Sequence, residues 1–141
     1  MGGHDCFRRD MKALTRDNNW TYVGDLRAGD EVADVTGQWV QVDDVHCRDN
    51  DWRVFFEITC GDHTIAVTPD HAVAVIHNTG PQPAPIDFIP ARDIKLYLHD
   101  FYTNSQQYSI QSVLQRYDWI DAVGVDIVGD HPLGIPITAM A

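Results

Sequence analysis

Residues 63–76, HTIAVTPDHAVAVI, decide how this chain is read. Val, Ile and Ala recur on both sides of the stretch, as in a strand, yet Thr68, Pro69, Asp70 and His71 sit in its middle. Proline has no N–H to give a ladder, so a regular strand does not continue through Pro69. The stretch therefore reads as a strand that bends at 68–71, with a hydroxyl and an imidazole three positions apart on the bend.

Outward from the bend, period-two alternation dominates and helical periodicity is nearly absent, so an all-β chain is expected. RVFFEITCGDHTIAV (53–67) reads as a hairpin with Gly61-Asp62 at its tip, and DEVADVTGQWVQVDDV (30–45) as one turning at Thr36-Gly37. NTGPQPAPIDF (78–88), with three prolines and a glycine, is an irregular loop within the domain. IPARDIKLYL (89–98) can form one helical turn, with Pro90 at its first position and Arg92 and Asp93 outward. The polar run HDFYTNSQQ (99–107) reads as an exposed connection, after which YSIQSVLQ (108–115) and WIDAVGVDIVG (119–129) resume strand character. YVGDLRAGDEV (22–32) and FIPARDIKLYL (88–98) echo one another, each leading apolar residues into a polar turn, which suggests a duplicated half. The tryptophans and the alternating Val40, Val42, Phe56, Ile58, Ile65 and Val67 are the expected core.

At 141 residues the chain suits a single domain with a real core. It carries no apolar run long enough to span a bilayer, and the opening MGGHDCFRRD lacks the pattern of a signal peptide. Formal charge is −11; of 21 acidic residues only Glu31 and Glu57 are glutamates, and Lys12 and Lys95 are the only lysines. That balance argues against duplex DNA or an anionic membrane as partner. It fits a salt-rich cytoplasm and a compositional bias equally well. Cys6, Cys47 and Cys60 make an odd count without CxxC spacing, so neither a disulfide framework nor a thiolate zinc site is indicated, and a reducing, cytoplasmic setting is expected.

Cysteine chemistry requires partners. A buried cysteine is most often a small hydrophobe; it becomes a nucleophile when a base or a positive environment favours the thiolate. The partners on offer for Cys6 are His71, Asp126 and His131. Cleaving an amide takes a nucleophile, a proton for nitrogen and a stabilised oxyanion held together, and Cys, His, Thr and Asp are residue types that supply them.

The order of these pieces resembles the Hint family, the self-processing domains of inteins, bacterial intein-like proteins and hedgehog proteins. The likeness spans residues 6–137. Its most specific elements are D-L-x-x-G-D-x-V (Asp25, Leu26, Gly29, Asp30, Val32) and T-x-x-H (Thr68, His71). The resemblance implies a horseshoe fold of two pseudo-symmetric halves, with residues 1–5 as upstream segment and 6–141 as the domain. It implies that Cys6 is the first nucleophile and Asp5–Cys6 the scissile bond, converted to a thioester by an N–S acyl shift. His71 then protonates the departing nitrogen and Thr68 helps hold the carbonyl. Asp126, with Asp121 as rival, deprotonates and orients the thiol, and His131 assists the second cleavage; Cys47 and Cys60 are structural.

Splicing inteins end in asparagine, usually after histidine, whereas this sequence has no asparagine beyond Asn104 and finishes GIPITAMA. The C-terminal step is accordingly expected to be missing, through natural divergence, truncation or alteration. Only residues 97–108 occupy the place of a homing endonuclease, which resembles a mini-intein. Neither cofactor nor metal is implied, and the expected partners are flanking host segments in cis, on a monomer.

Two other readings compete with self-processing. His63, His71, His77, Asp62 and Asp70 cluster in sequence as metal ligands would. Neighbours on a strand face opposite ways, however, so Asp62-His63 and Asp70-His71 cannot both chelate from one side. The other is a non-catalytic β-rich interaction module in which the pattern is vestigial.

Overall fold

Alternating residues become strand almost throughout, and nothing longer than a 3₁₀ turn interrupts them among the described residues, so the fold is all-β. The computed structural model describes residues 6–49, 54–117, 123–129 and 139–140. Its strands are β1 (Cys6–Arg8), β2 (Lys12–Leu14), β3 (Trp20–Tyr22), β4 (Glu31–Ala33), β5 (Trp39–Asp49), β6 (Phe55–Cys60) and β7 (His63–Val67). There follow β8 (Ala72–His77), β9 (Ile86–Pro90), β10 (His99–Thr103), β11 (Gln106–Ser109), β12 (Ser112–Arg116), β13 (Val123–Gly129) and β14 (Ala139–Met140). The 3₁₀ turns are Val23–Asp25 and Ala91–Asp93. Seven strands pair in the order β12-β6-β7-β1-β13-β5-β4, four as β11-β10-β8-β9 and three as β14-β2-β3.

Turn chemistry fixes the registers. Cys60 opposes His63 across Gly61-Asp62, and Gly61 at φ 60° supplies the positive φ that a two-residue hairpin needs at its first position. Between β4 and β5 the Asp34 carboxylate accepts from the backbone N–H groups of Thr36 and Gln38 while Gly37 adopts φ 85°. The proline-rich loop is shorter than its composition suggests, since Ile86 already pairs with Ile76 as β9 begins.

Residues 99–107 are not an exposed connection. They form the β10–β11 hairpin, turning at Asn104 (φ 51°) and Ser105 (φ 63°), with His99, Phe101 and Thr103 buried. Their period-two pattern is present but written in polar residues, which hides it from a reading keyed to hydrophobicity. Of the expected core, Val42, Phe56, Ile58, Ile65 and Val67 are buried and Val40 packs against them partly covered. The tryptophans depart from expectation: Trp20 is 47% and Trp39 37% exposed. Trp39 lies on the outward phase of β5, and Trp20 on the edge strand of the small sheet. Trp52 and Trp119 lie outside the described residues.

The chain repeats its path after 60 residues. Phe7 opposes Val67 where β1 meets β7. Just beyond, Met11 N–H donates to the Arg8 carbonyl at 3.0 Å, and His71 N–H to the Thr68 carbonyl at 3.1 Å, so the same turn follows both strands. The Met11 carbonyl then accepts from Val23 N–H (2.9 Å) and the His71 carbonyl from Ala91 N–H (3.0 Å), which seats one 3₁₀ turn in each half. Tyr22 (φ −55°, ψ 136°) and Pro90 (φ −59°, ψ 143°) precede those turns with nearly the same backbone. Pro90 thus caps its turn instead of opening it, while Arg92 and Asp93 face outward as expected.

Candidate active site

The bend at 68–71 closes on the start of β1. Thr68 N–H donates to the Cys6 carbonyl at 2.9 Å, and Cys6 N–H donates to the Thr68 hydroxyl oxygen at 3.2 Å. The same hydroxyl lies 3.4 Å from the Cys6 carbonyl, to which it donates. The hydroxyl therefore grips the nitrogen side of the residue 5–6 amide; the expected contact with the residue 5 carbonyl lies outside the described residues, as do Asp5, Asp121 and His131. His71 is buried, its Nδ1 sealed from solvent, and its ring packs on Phe7 with centroids 4.5 Å apart.

Cys6 is 2% exposed and directly opposes Asp126 across the β1–β13 pair. Opposed residues in an antiparallel pair project to one face, so thiol and carboxylate share a side, while Phe7 and the imidazole against it take the other. The amide of Cys6 lies between them, on the Thr68 hydroxyl. Asp126 also opposes His46 on β5, and its Oδ2 accepts from Arg48 Nε at 3.3 Å.

Besides His46 and Arg48, two further residues of this neighbourhood are not singled out by the sequence. Gly124 is one: a Cβ there would stand 2.6 Å from Cys6 Cβ and 3.1 Å from its sulfur, so only glycine lets β13 lie this close to the thiol. Nothing in the sequence marks it, because the close approach is made by a strand more than 100 residues away. The second is Arg8, buried two positions after Cys6, which pairs with Asp10 and with Glu57 on β6. Burial works to raise the Glu57 carboxyl, but hydrogen bonds from Arg8 and Arg116 outweigh it and hold it below the usual range. This cluster ties β1 to β6 and β12 next to the thiol.

The proposed metal ligands do not converge. Asp70 pairs with Arg92, His77 with Asp87, and His71 lies against Phe7. Among the described residues no group of three His, Cys, Asp or Glu side chains is placed to hold a metal ion. Nor is any helix among them long and apolar enough to cross a membrane.

The chain is all-β and doubled on itself, with β1 in the middle of its largest sheet, and solved structures share this architecture. The chain is similar to the bacterial intein-like domain from Clostridium thermocellum (TM-score 0.70, 14% identity, 94% of this chain and 97% of that one). It is similar also to the TvoVMA intein (TM-score 0.71, 12% identity, 99% and 98%) and the MchDnaB-1 intein (TM-score 0.67, 14% identity, 95% and 98%). The fold is the Hint fold of inteins. No protein-family model and no curated protein matches the chain.

Proposed function

We propose that the domain cleaves the peptide bond before Cys6 autocatalytically, by an N–S acyl shift within a host protein. The Cys6 sulfur attacks the carbonyl carbon of residue 5, forming the C–S bond, and passes its proton to Asp126. The C–N bond breaks, and the nitrogen leaves as the Cys6 amine with a proton from His71. The Thr68 hydroxyl keeps that nitrogen aligned as it leaves. The product is a thioester between the upstream segment and Cys6, open to an external thiol or to water. His131 is assigned to a later cleavage step.

The observation that carries this reading is the Cys6 amide held on the Thr68 hydroxyl while its side chain opposes Asp126. A core cysteine has no use for a carboxylate as its cross-strand neighbour; a nucleophile does. Positioning groups of this kind contribute through orientation as well as charge.

Hydroxylamine provides the test. A fusion carrying a marker protein upstream should release the marker as a C-terminal hydroxamate, identified by mass. Thr68→Val and His71→Ala should each slow release by about 10²-fold or more, the scale of a lost proton donor or oriented hydrogen bond. Release at equal rate from His71→Ala would remove the imidazole from the mechanism, and no hydroxamate from the parent fusion would remove the thioester.

A further inference from the structure

We propose that Arg48 is a positioning residue for Asp126, setting which carboxylate oxygen faces the Cys6 thiol. The inference rests on the reading of Cys6 as nucleophile and extends the site by one strand. Cys6, Asp126 and His46 stand in one row across β1, β13 and β5, with Arg48 two positions along from His46 and opposite Gly124. Since Gly124 has no side chain, the lane over β13 is open. Arg48 crosses it, and Nε reaches Asp126 Oδ2 at 3.3 Å.

The guanidinium is held from its other end too. Arginine can only donate, so the 3.3 Å contact between Arg48 Nη2 and His46 Nδ1 makes Nδ1 the lone-pair nitrogen. The ring proton is then on Nε2, which donates to Asp44 Oδ2 at 2.8 Å. Asp44, His46 and Arg48 alternate along one face of β5, and the row they make ends on the carboxylate beside the thiol. An aspartate rotates broadly about its last torsion. Fixing Oδ2 on a planar, pre-organised fork removes that freedom and leaves Oδ1 for the sulfur. With Arg48 38% and Asp126 21% exposed, solvent screens the pair, so its contribution is orientation more than binding strength.

The test follows thiol-induced release of an upstream fusion in the parent chain, Arg48→Met, Arg48→Lys, Asp126→Asn and Arg48→Met/Asp126→Asn, with circular dichroism to show that each is folded. Arg48→Met should slow release about tenfold, the scale of a hydrogen bond to a charged group. Arg48→Lys should recover part of that loss, and Arg48→Met should cost nothing further once Asp126 is Asn. An unchanged rate in Arg48→Met, or the same fold-loss in both backgrounds, overturns the proposal. The Arg48 Nε–H resonance supplies a readout apart from activity: it should move when Asp126 becomes Asn, and an unmoved signal also overturns it. If the parent releases nothing, the reading of Cys6 falls, and with it the role given to Arg48; release from the parent with no effect of Arg48→Met removes only the latter.

Discussion

Gly124 decides how close β13 comes to Cys6, and so, in the proposed mechanism, whether Asp126 can serve its thiol. A methyl group at 124 meets Cys6 Cβ at 2.6 Å, a separation real contacts do not tolerate, so the two strands must part or the thiol must turn away. Gly124→Ala should therefore destabilise by about 1–3 kcal/mol, the usual cost of overpacking, and slow upstream release more than that loss of folded protein explains. Urea denaturation beside a release assay separates the two effects; full-rate release from Gly124→Ala would show that the close approach is incidental. The other cysteines make a contrast in reactivity. Burial, with a smaller contribution from Asp100, pushes the Cys60 thiol up to about 12, whereas Cys47 is exposed. Iodoacetamide at pH 8 on the folded protein should label Cys47 and spare Cys60, with peptide mass spectrometry reading the sites. Replacing either with serine should leave upstream cleavage intact.

Hairpins are the unit in which this chain is built, and the β10–β11 hairpin carries a pH dependence of its own. Buried His99 accepts the Lys95 N–H on Nδ1 at 2.8 Å; burial first, then the neighbouring His77, holds its pKa below the ordinary histidine value. The unfolded chain therefore takes up a proton before the folded one does, and stability falls as pH drops below about 6.5. Glu57, held low by Arg8 and Arg116 against its burial, adds a second loss in the carboxylate range as its ion pairs are protonated away. Urea midpoints measured from pH 8 to pH 2 should decline in those two stages. His99→Asn, whose side-chain oxygen can take the Lys95 N–H, should flatten the first stage alone; an unaltered first stage would move its origin elsewhere. The same hairpin shows the limit of reading elements from sequence. At 30–45 and 53–67 valine, isoleucine and phenylalanine mark the inward phase, and glycine marks the turn. At 99–109 the inward positions include histidine and threonine and the turn is Asn104-Ser105, so the alternation is intact but composition conceals it.

Across the whole molecule, one turn is used twice, at 8–11 and at 68–71, 60 residues apart and joined where Phe7 opposes Val67. The bend in the opening stretch is thus a property of the fold, and the two copies differ in what stands on it: Thr68 and His71 in one copy, Arg8 and Met11 in the other. Sequence shows the first copy because proline and histidine interrupt an apolar run. The second, RRDM, interrupts nothing and reads as polar chain. The same division holds for the site. Cys6, Thr68, His71 and Asp126 are legible because their residue types and order resemble self-processing domains. Gly124, Arg8 and Arg48 are not, since what each does depends on a neighbouring strand far away in the chain. All of these assignments meet in one bond, the amide before Cys6. Intact-mass measurement of an upstream fusion, with and without excess thiol, tests it most directly in the parent and in Cys6→Ala. Thiol-dependent release from the parent, cut immediately before Cys6 and absent in Cys6→Ala, is the predicted result. Release that persists in Cys6→Ala, or a parent that stays whole in thiol, would contradict it.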